Sequence, residues 1–165
     1  MDVYVVRHAI AFERDATRWP DDGERPLTPE GDARFRKAAR GLRRLVPTVD
    51  AVLSSPFARA WRTAELLEEE AGWPSPVPSE ELAADRSATE AMDAIRTRAA
   101  DAVAVVGHEP GLSELASLLL AGTTRVSFDL KKGGVIALGF PDGIRRGSGY
   151  VRWAVTPKIL RSLSR

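Results

Sequence analysis

Cysteine is absent from this 165-residue chain, and histidine occurs only twice, at positions 8 and 108. The first absence removes disulfides, thiolate nucleophiles and thiolate metal ligands from consideration. It fits a reducing compartment, and the expected location is the cytoplasm. No apolar stretch is long enough to span a membrane, and the first apolar run stops at Arg7 with no basic segment ahead of it, so no signal peptide is expected. Charge of one sign is not in excess. The formal net charge is +1, which gives no reason to expect nucleic acid or a membrane surface as a partner. Lysine is scarce: only positions 37, 131, 132 and 158 carry it, and arginine supplies the rest of the 24 basic residues. GC-rich coding accounts for most of that bias, but a few of the arginines suit phosphate through their planar donor fork. Two catalytic signatures are also missing. There is no G-x-S-x-G elbow for a serine hydrolase and no G-x-x-x-x-G-K-[ST] phosphate loop.

What is present alternates. DVYVV (2–6) reads as a strand, and residues 9–27, with Pro20, Gly23 and Pro26, as a long loop. Thr28 and Pro29 open a helix whose apolar residues Phe35, Ala38, Ala39, Leu42, Leu45 and Val46 recur at helical spacing until Pro47. Its arginines are expected to form a solvated face. DAVLSS (50–55) is a second strand, followed by a helix with Ser55 as expected N-cap, Pro56 at its first position and Gly72 at its end. WPSPVPSEEL is a loop or short edge strand, residues 87–100 are helical, and DAVAVVGH (101–108) is the most apolar strand. A helix over 109–122, two strands over 131–140 and 150–155, and a short tail complete the chain. The expected fold is α/β: a three-layer sandwich with a mostly parallel central sheet, helices on both faces and an antiparallel pair at one side, forming a single domain over 1–165.

Three strand ends carry polar groups. Arg7-His8 ends the first, Arg59 lies just beyond the second in SSPFARA, and His108 ends the third in GHEPG. Parallel neighbours would gather all four at one carboxyl edge, where α/β proteins place their ligand sites. Zinc suits this set poorly, because two guanidinium groups repel a cation and ligands are too few. An oxyanion suits it well. Arginine forks bind its oxygens, a helix start adds N–H groups, and a neutral imidazole attacks phosphorus. No metal or cofactor is expected.

These residues resemble the histidine phosphatase superfamily, also called phosphoglycerate mutase-like. VVRHA resembles its R-H-G signature, with Ala9 in place of glycine. RPLTPEG (25–31) resembles its L-T-x-x-G stretch, SSPFARAWRT its S-P-x-x-R-A-x-x-T segment, and VVGHEPG its second-histidine segment. The matches run in the family's order, and within it the chain looks most like the SixA-type phosphohistidine phosphatases, a likeness that FDLKKGGVIAL and WAVTPKILR extend. The resemblance implies a metal-independent phosphatase in which His8 takes the phosphoryl group and Arg7, Arg59 and His108 surround its oxygens. His108 would help most as a cation. Larger members use a carboxylic acid to protonate the leaving oxygen, and Glu81 in SEELAAD is the best-placed match. A phosphohistidine leaves as imidazole and needs that acid least. The expected substrate is therefore phosphohistidine in a protein. The alternatives are a small-molecule phosphomonoesterase of the same mechanism and a non-catalytic phosphate-binding protein.

Overall fold

The computed structural model describes residues 1–165. Six strands form one sheet: β1 (Asp2–Arg7), β2 (Ala51–Ser54), β3 (Val77–Pro78), β4 (Ala102–Gly107), β5 (Val135–Gly139) and β6 (Tyr150–Val155), in spatial order β3-β2-β4-β1-β5-β6. Strands β3, β2, β4 and β1 are mutually parallel, while β5 runs antiparallel to β1 and β6 antiparallel to β5. The expected α/β sandwich is therefore the observed one, with the antiparallel pair at one side.

Residue alternation along β1 divides the core. Tyr4 and Val6 face a layer built with helices α1 (Pro29–Leu45), α2 (Ala58–Leu66) and α5 (Pro157–Leu163), where Phe35, Leu42, Ala64 and Leu160 are buried. Val3 and Val5 face the opposite layer, with α3 (Ala88–Arg96) and α4 (Gly111–Ala121), where Ile95, Leu115 and Leu119 are buried. Period-two strands between amphipathic helices require this two-sided burial.

Two local expectations are corrected. Helix α2 begins at Ala58 with Phe57 as its cap residue, so Ser55 does not cap it. The Ser55 hydroxyl is taken up by the site described below. Beyond Leu66 the helix widens into a π turn over Leu67–Ala71 and stops at Gly72 in the left-handed region (φ 72°). The π turn carries Glu69 and Glu70 toward α1. There Arg36 bonds Asp32, Glu69 and Glu70, Arg40 bonds Glu70, and Arg62 bonds Asp32, Glu65 and Glu69. The arginine face of α1 thus joins a partly exposed ion-pair network between two helices. Each exposed pair in such a network contributes about 0–1 kcal/mol.

Candidate active site

Strand register assembles the site. Arg7 of β1 lies opposite Gly107 of β4, and Ser54 of β2 lies opposite Val106. The residues that follow, His8, His108 and Ser55, therefore leave the sheet side by side. The His8 N–H donates to the Gly107 carbonyl at 3.0 Å, and the Ser55 N–H to the Val106 carbonyl at 2.9 Å. The two imidazole rings sit with centroids 5.3 Å apart.

His8 is 6% exposed, and its Nδ1 lies 2.7 Å from the Ala9 carbonyl. A carbonyl only accepts, so Nδ1 carries the proton and Nε2 keeps its lone pair. Burial, helped by the positive charges of Arg59, Arg7 and Lys132, pushes the His8 pKa down to about 3, against the raising effect of the Ala9 bond. The ring is therefore neutral at any ordinary pH. Ala9 itself has an ordinary negative φ, since no residue other than glycine lies in the positive region. Alanine where the family has glycine thus strains nothing.

The segment after His8 is held from two helices. Thr63 of α2 accepts the Ala9 N–H at 3.0 Å and donates to the Arg59 carbonyl at 2.7 Å. Thr28 accepts the Gly31 N–H at 2.9 Å, and its own N–H donates to the Ile10 carbonyl at 3.1 Å. A Cβ on Gly31 would stand 2.0 Å from the Ile10 oxygen. This close approach is the physical content of the L-T-x-x-G stretch.

Arg7 donates through Nη1 to the Leu130 carbonyl at 2.8 Å. Arg59, in the first turn of α2 and 3% exposed, donates to the Asp22 carbonyl at 2.9 Å and to Asp22 Oδ2 at 3.1 Å. His108 Nε2 lies 2.8 Å from Ser55 Oγ, which also accepts the Phe57 N–H at 3.2 Å. Ser55 Oγ makes no other donating hydrogen bond, so its proton is assigned to His108 Nε2, and the neutral ring then carries its own proton on Nδ1. Without an anion beside it, His108 is held neutral. Burial first, then the like charge a protonated His8 would add and the Arg59 guanidinium, push its pKa down to about 3.

Three buried side-chain polar atoms lack a hydrogen-bond partner: Arg7 Nε, Arg59 Nε and His108 Nδ1. All three are donors, and all belong to the constellation expected from the sequence. An orphaned buried donor costs about 1–3 kcal/mol. Concentrating such atoms in one place makes a site for an acceptor-rich anion.

Glu81 lies in a short 3₁₀ turn, Glu80–Leu82, and shares with His108 the wall of a small cavity. Ser79 donates its hydroxyl to Glu81 at 2.7 Å and lowers the carboxyl's pKa. That bond favours the ionised carboxylate, which has no proton to donate. Trp19 packs on Phe12 with Arg18 over its ring. No group of three acidic or histidine side chains is arranged to hold a metal.

Sequence reading passed over Asp22, which orients Arg59, and the contacts of Thr63, and it took Ser55 for a helix cap. Only their spacing from Arg59 and His8 carried a signal, and contact across the fold was needed to read it.

Residues 3–87 match the family model of the histidine phosphatase superfamily (branch 1). An uncharacterized protein of Picosynechococcus sp. is 36% identical over 156 residues, 92% of this chain and 89% of that one. Among solved structures, the protein histidine phosphatase SixA complexed with tungstate is similar at TM-score 0.81 and 26% identity, covering 97% of this chain and 99% of that one. The α-ribazole phosphatase from Shigella flexneri, at 16% identity and TM-score 0.67 over 95% and 97% of the two chains, shares the fold.

Proposed function

The chain belongs to the histidine phosphatase superfamily, and on that footing we propose that it hydrolyses phosphohistidine in a protein substrate, with His8 as the nucleophile. The observation that carries this reading is the Nδ1–Ala9 bond, which leaves a neutral imidazole with its lone pair on Nε2 beside three unsatisfied buried donors. The likeness to a SixA structure holding tungstate, a tetrahedral oxyanion, supports it.

The bonds balance without an added acid. His8 Nε2 attacks phosphorus as the bond to the substrate's ring nitrogen breaks. A substrate ring protonated at its other nitrogen departs as neutral imidazole. His8 keeps its Nδ1 proton on the Ala9 carbonyl, so the phosphorylated ring is cationic and is itself a good leaving group. Water then attacks phosphorus, the Nε2–P bond breaks, His8 returns to its neutral form, and both water protons leave on the phosphate.

Arg7 and Arg59 place guanidinium donors against the phosphoryl oxygens, and His108 adds its Nδ1–H. The arriving anion also supplies negative charge to a pair of histidines that burial and nearby cations had kept neutral, which raises the His108 pKa toward the cationic form. An ionised Glu81 is no obstacle to P–N cleavage, whereas an alkoxide leaving group would need the proton it lacks.

The test is a side-by-side rate measurement without added metal. A phosphohistidine protein and a panel of phosphomonoesters are given to wild type and to His8→Ala. Fast P–N cleavage that requires His8, with slow ester cleavage, is expected. Faster ester cleavage would overturn the substrate assignment, and activity retained by His8→Ala would overturn the nucleophile.

A further inference from the structure

One cavity, of about 380 Å³, borders the nucleophile's own segment, with Ala9 in its wall. Its other walls come from the first turns of α1, the turn at 131–133 and the start of α5. Five of its residues are basic, Arg34, Lys131, Lys132, Lys158 and Arg161, and none is acidic. The chain as a whole carries a net charge of only +1 and four lysines, so three of those lysines meeting in one wall is a local concentration. Glu30 pairs with Arg34 at 3.1 Å and Asp129 with Lys131 at 2.9 Å. Lys132, Lys158 and Arg161 have no carboxylate partner, because no ion pair within 4.0 Å involves them.

The cavity's base is fixed relative to His8. The Gly133 N–H is shared between the Arg7 and His8 carbonyls at 3.0 Å each, and the Leu130 carbonyl takes the Arg7 guanidinium. Gly133 lies at φ 80° with the Phe35 ring 3.1 Å from where a Cβ would be, so the turn tolerates only glycine there. A rigid base thus carries a rim of long, flexible, unpaired cations one residue from the nucleophile.

We infer that this basic cavity receives acidic side chains of the protein whose phosphohistidine enters the site, so that the substrate is read by its surface charge as well as by its phosphoryl group. The inference rests on the phosphohistidine reading above. The choice of side chain favours a protein surface over a second phosphate on a metabolite. The phosphoryl clamp uses guanidinium forks with fixed geometry, whereas this rim uses mostly ammonium groups, which are point charges on flexible stems. Such groups accept carboxylates in many arrangements and act mainly by steering the approach.

The experiment uses Lys158→Glu/Arg161→Glu, on α5 and outside the phosphoryl clamp, with Lys158→Gln/Arg161→Gln as a folding control. Three substrates are compared: a phosphohistidine protein with Asp or Glu around its histidine, free phosphohistidine, and a small phosphomonoester bearing a second phosphate. Charge reversal is expected to lower kcat/KM for the protein by about tenfold or more and to abolish its salt dependence, with the Gln pair intermediate and free phosphohistidine within about twofold. Equal losses on protein and free phosphohistidine, or no loss on either, would overturn the docking role while leaving the phosphohistidine reading in place. A loss confined to the doubly phosphorylated ester would make the cavity a metabolite subsite and overturn it likewise. A wild-type enzyme inactive on both phosphohistidine substrates would overturn the underlying reading, and this inference with it.

Discussion

Thr63 holds Ala9: its hydroxyl accepts the Ala9 N–H at 3.0 Å while donating to the carbonyl of Arg59 at 2.7 Å. One fully buried side chain thereby ties the segment after His8 to the helix that carries Arg59. Ala9 also supplies the carbonyl that sets the His8 tautomer, so the tie reaches the proposed nucleophile through a single residue.

Replacing Thr63 with valine keeps the volume but leaves the Ala9 N–H buried without an acceptor. A loss of about 1–3 kcal/mol in stability is expected. Chemical denaturation measures it. A role in positioning also predicts that kcat falls more than KM rises, and that Thr63→Ser restores most of both. Equal stability loss with unchanged kcat would leave Thr63 a packing residue only.

Arg59→Ala removes a buried guanidinium that Asp22 already aims. Loss of one preorganised donor of this kind costs about 10²–10³ in kcat. Arg59→Lys restores the charge but not the fork, so it recovers little. Steady-state rates on phosphohistidine check both, and a near-wild-type Arg59→Lys would mean that charge alone suffices.

Much of this site was legible before folding. The strand ends at Arg7-His8 and His108 could be read because apolar runs stop abruptly at polar pairs, and parallel neighbours bring their carboxyl ends together. The mostly parallel sheet with an antiparallel pair at one side was legible in the alternation of strands and helices, whereas the strand order was not. Ser55 was misread because S-P opens many helices. Here the chain delays α2 to Ala58, which frees the hydroxyl for His108. Asp22 lies 37 residues from Arg59, and nothing local announces a pair of that separation. The neutral state of His108 without an anion beside it was not legible either: adjacency to cations and depth of burial are properties of the fold, not of the sequence around it.

Glu81→Gln separates two kinds of leaving group. Ser79 stabilises the ionised carboxylate, so the side chain is not a proton donor near neutral pH. The variant is expected to keep P–N hydrolysis within about threefold of wild type, well short of the 10²–10⁴ that a positioned general acid contributes. Single-turnover rates of phosphohistidine loss check this. A hundredfold fall would return Glu81 to the mechanism as an acid.

Stability against pH reads the two histidines directly. Each has a folded pKa near 3 and an unfolded value near 6.5, so between those limits the unfolded chain binds protons that the folded chain refuses. The unfolding free energy then falls as pH falls, by up to about 1.4 kcal/mol per pH unit for each histidine. The stabilised carboxylates, such as Asp22 and Asp32, have depressed pKa values and lose their contribution as pH falls through the unfolded carboxylate range, about 4, toward their lower folded values. The interval from about pH 6 to pH 5 therefore belongs to the histidines. Urea titrations across it should show a slope that His8→Asn roughly halves, with His8→Asn/His108→Asn nearly flat. A wild-type slope no steeper than that of the double variant would mean that both rings protonate freely in the folded protein, and the lowered pKa values of His8 and His108 would be overturned.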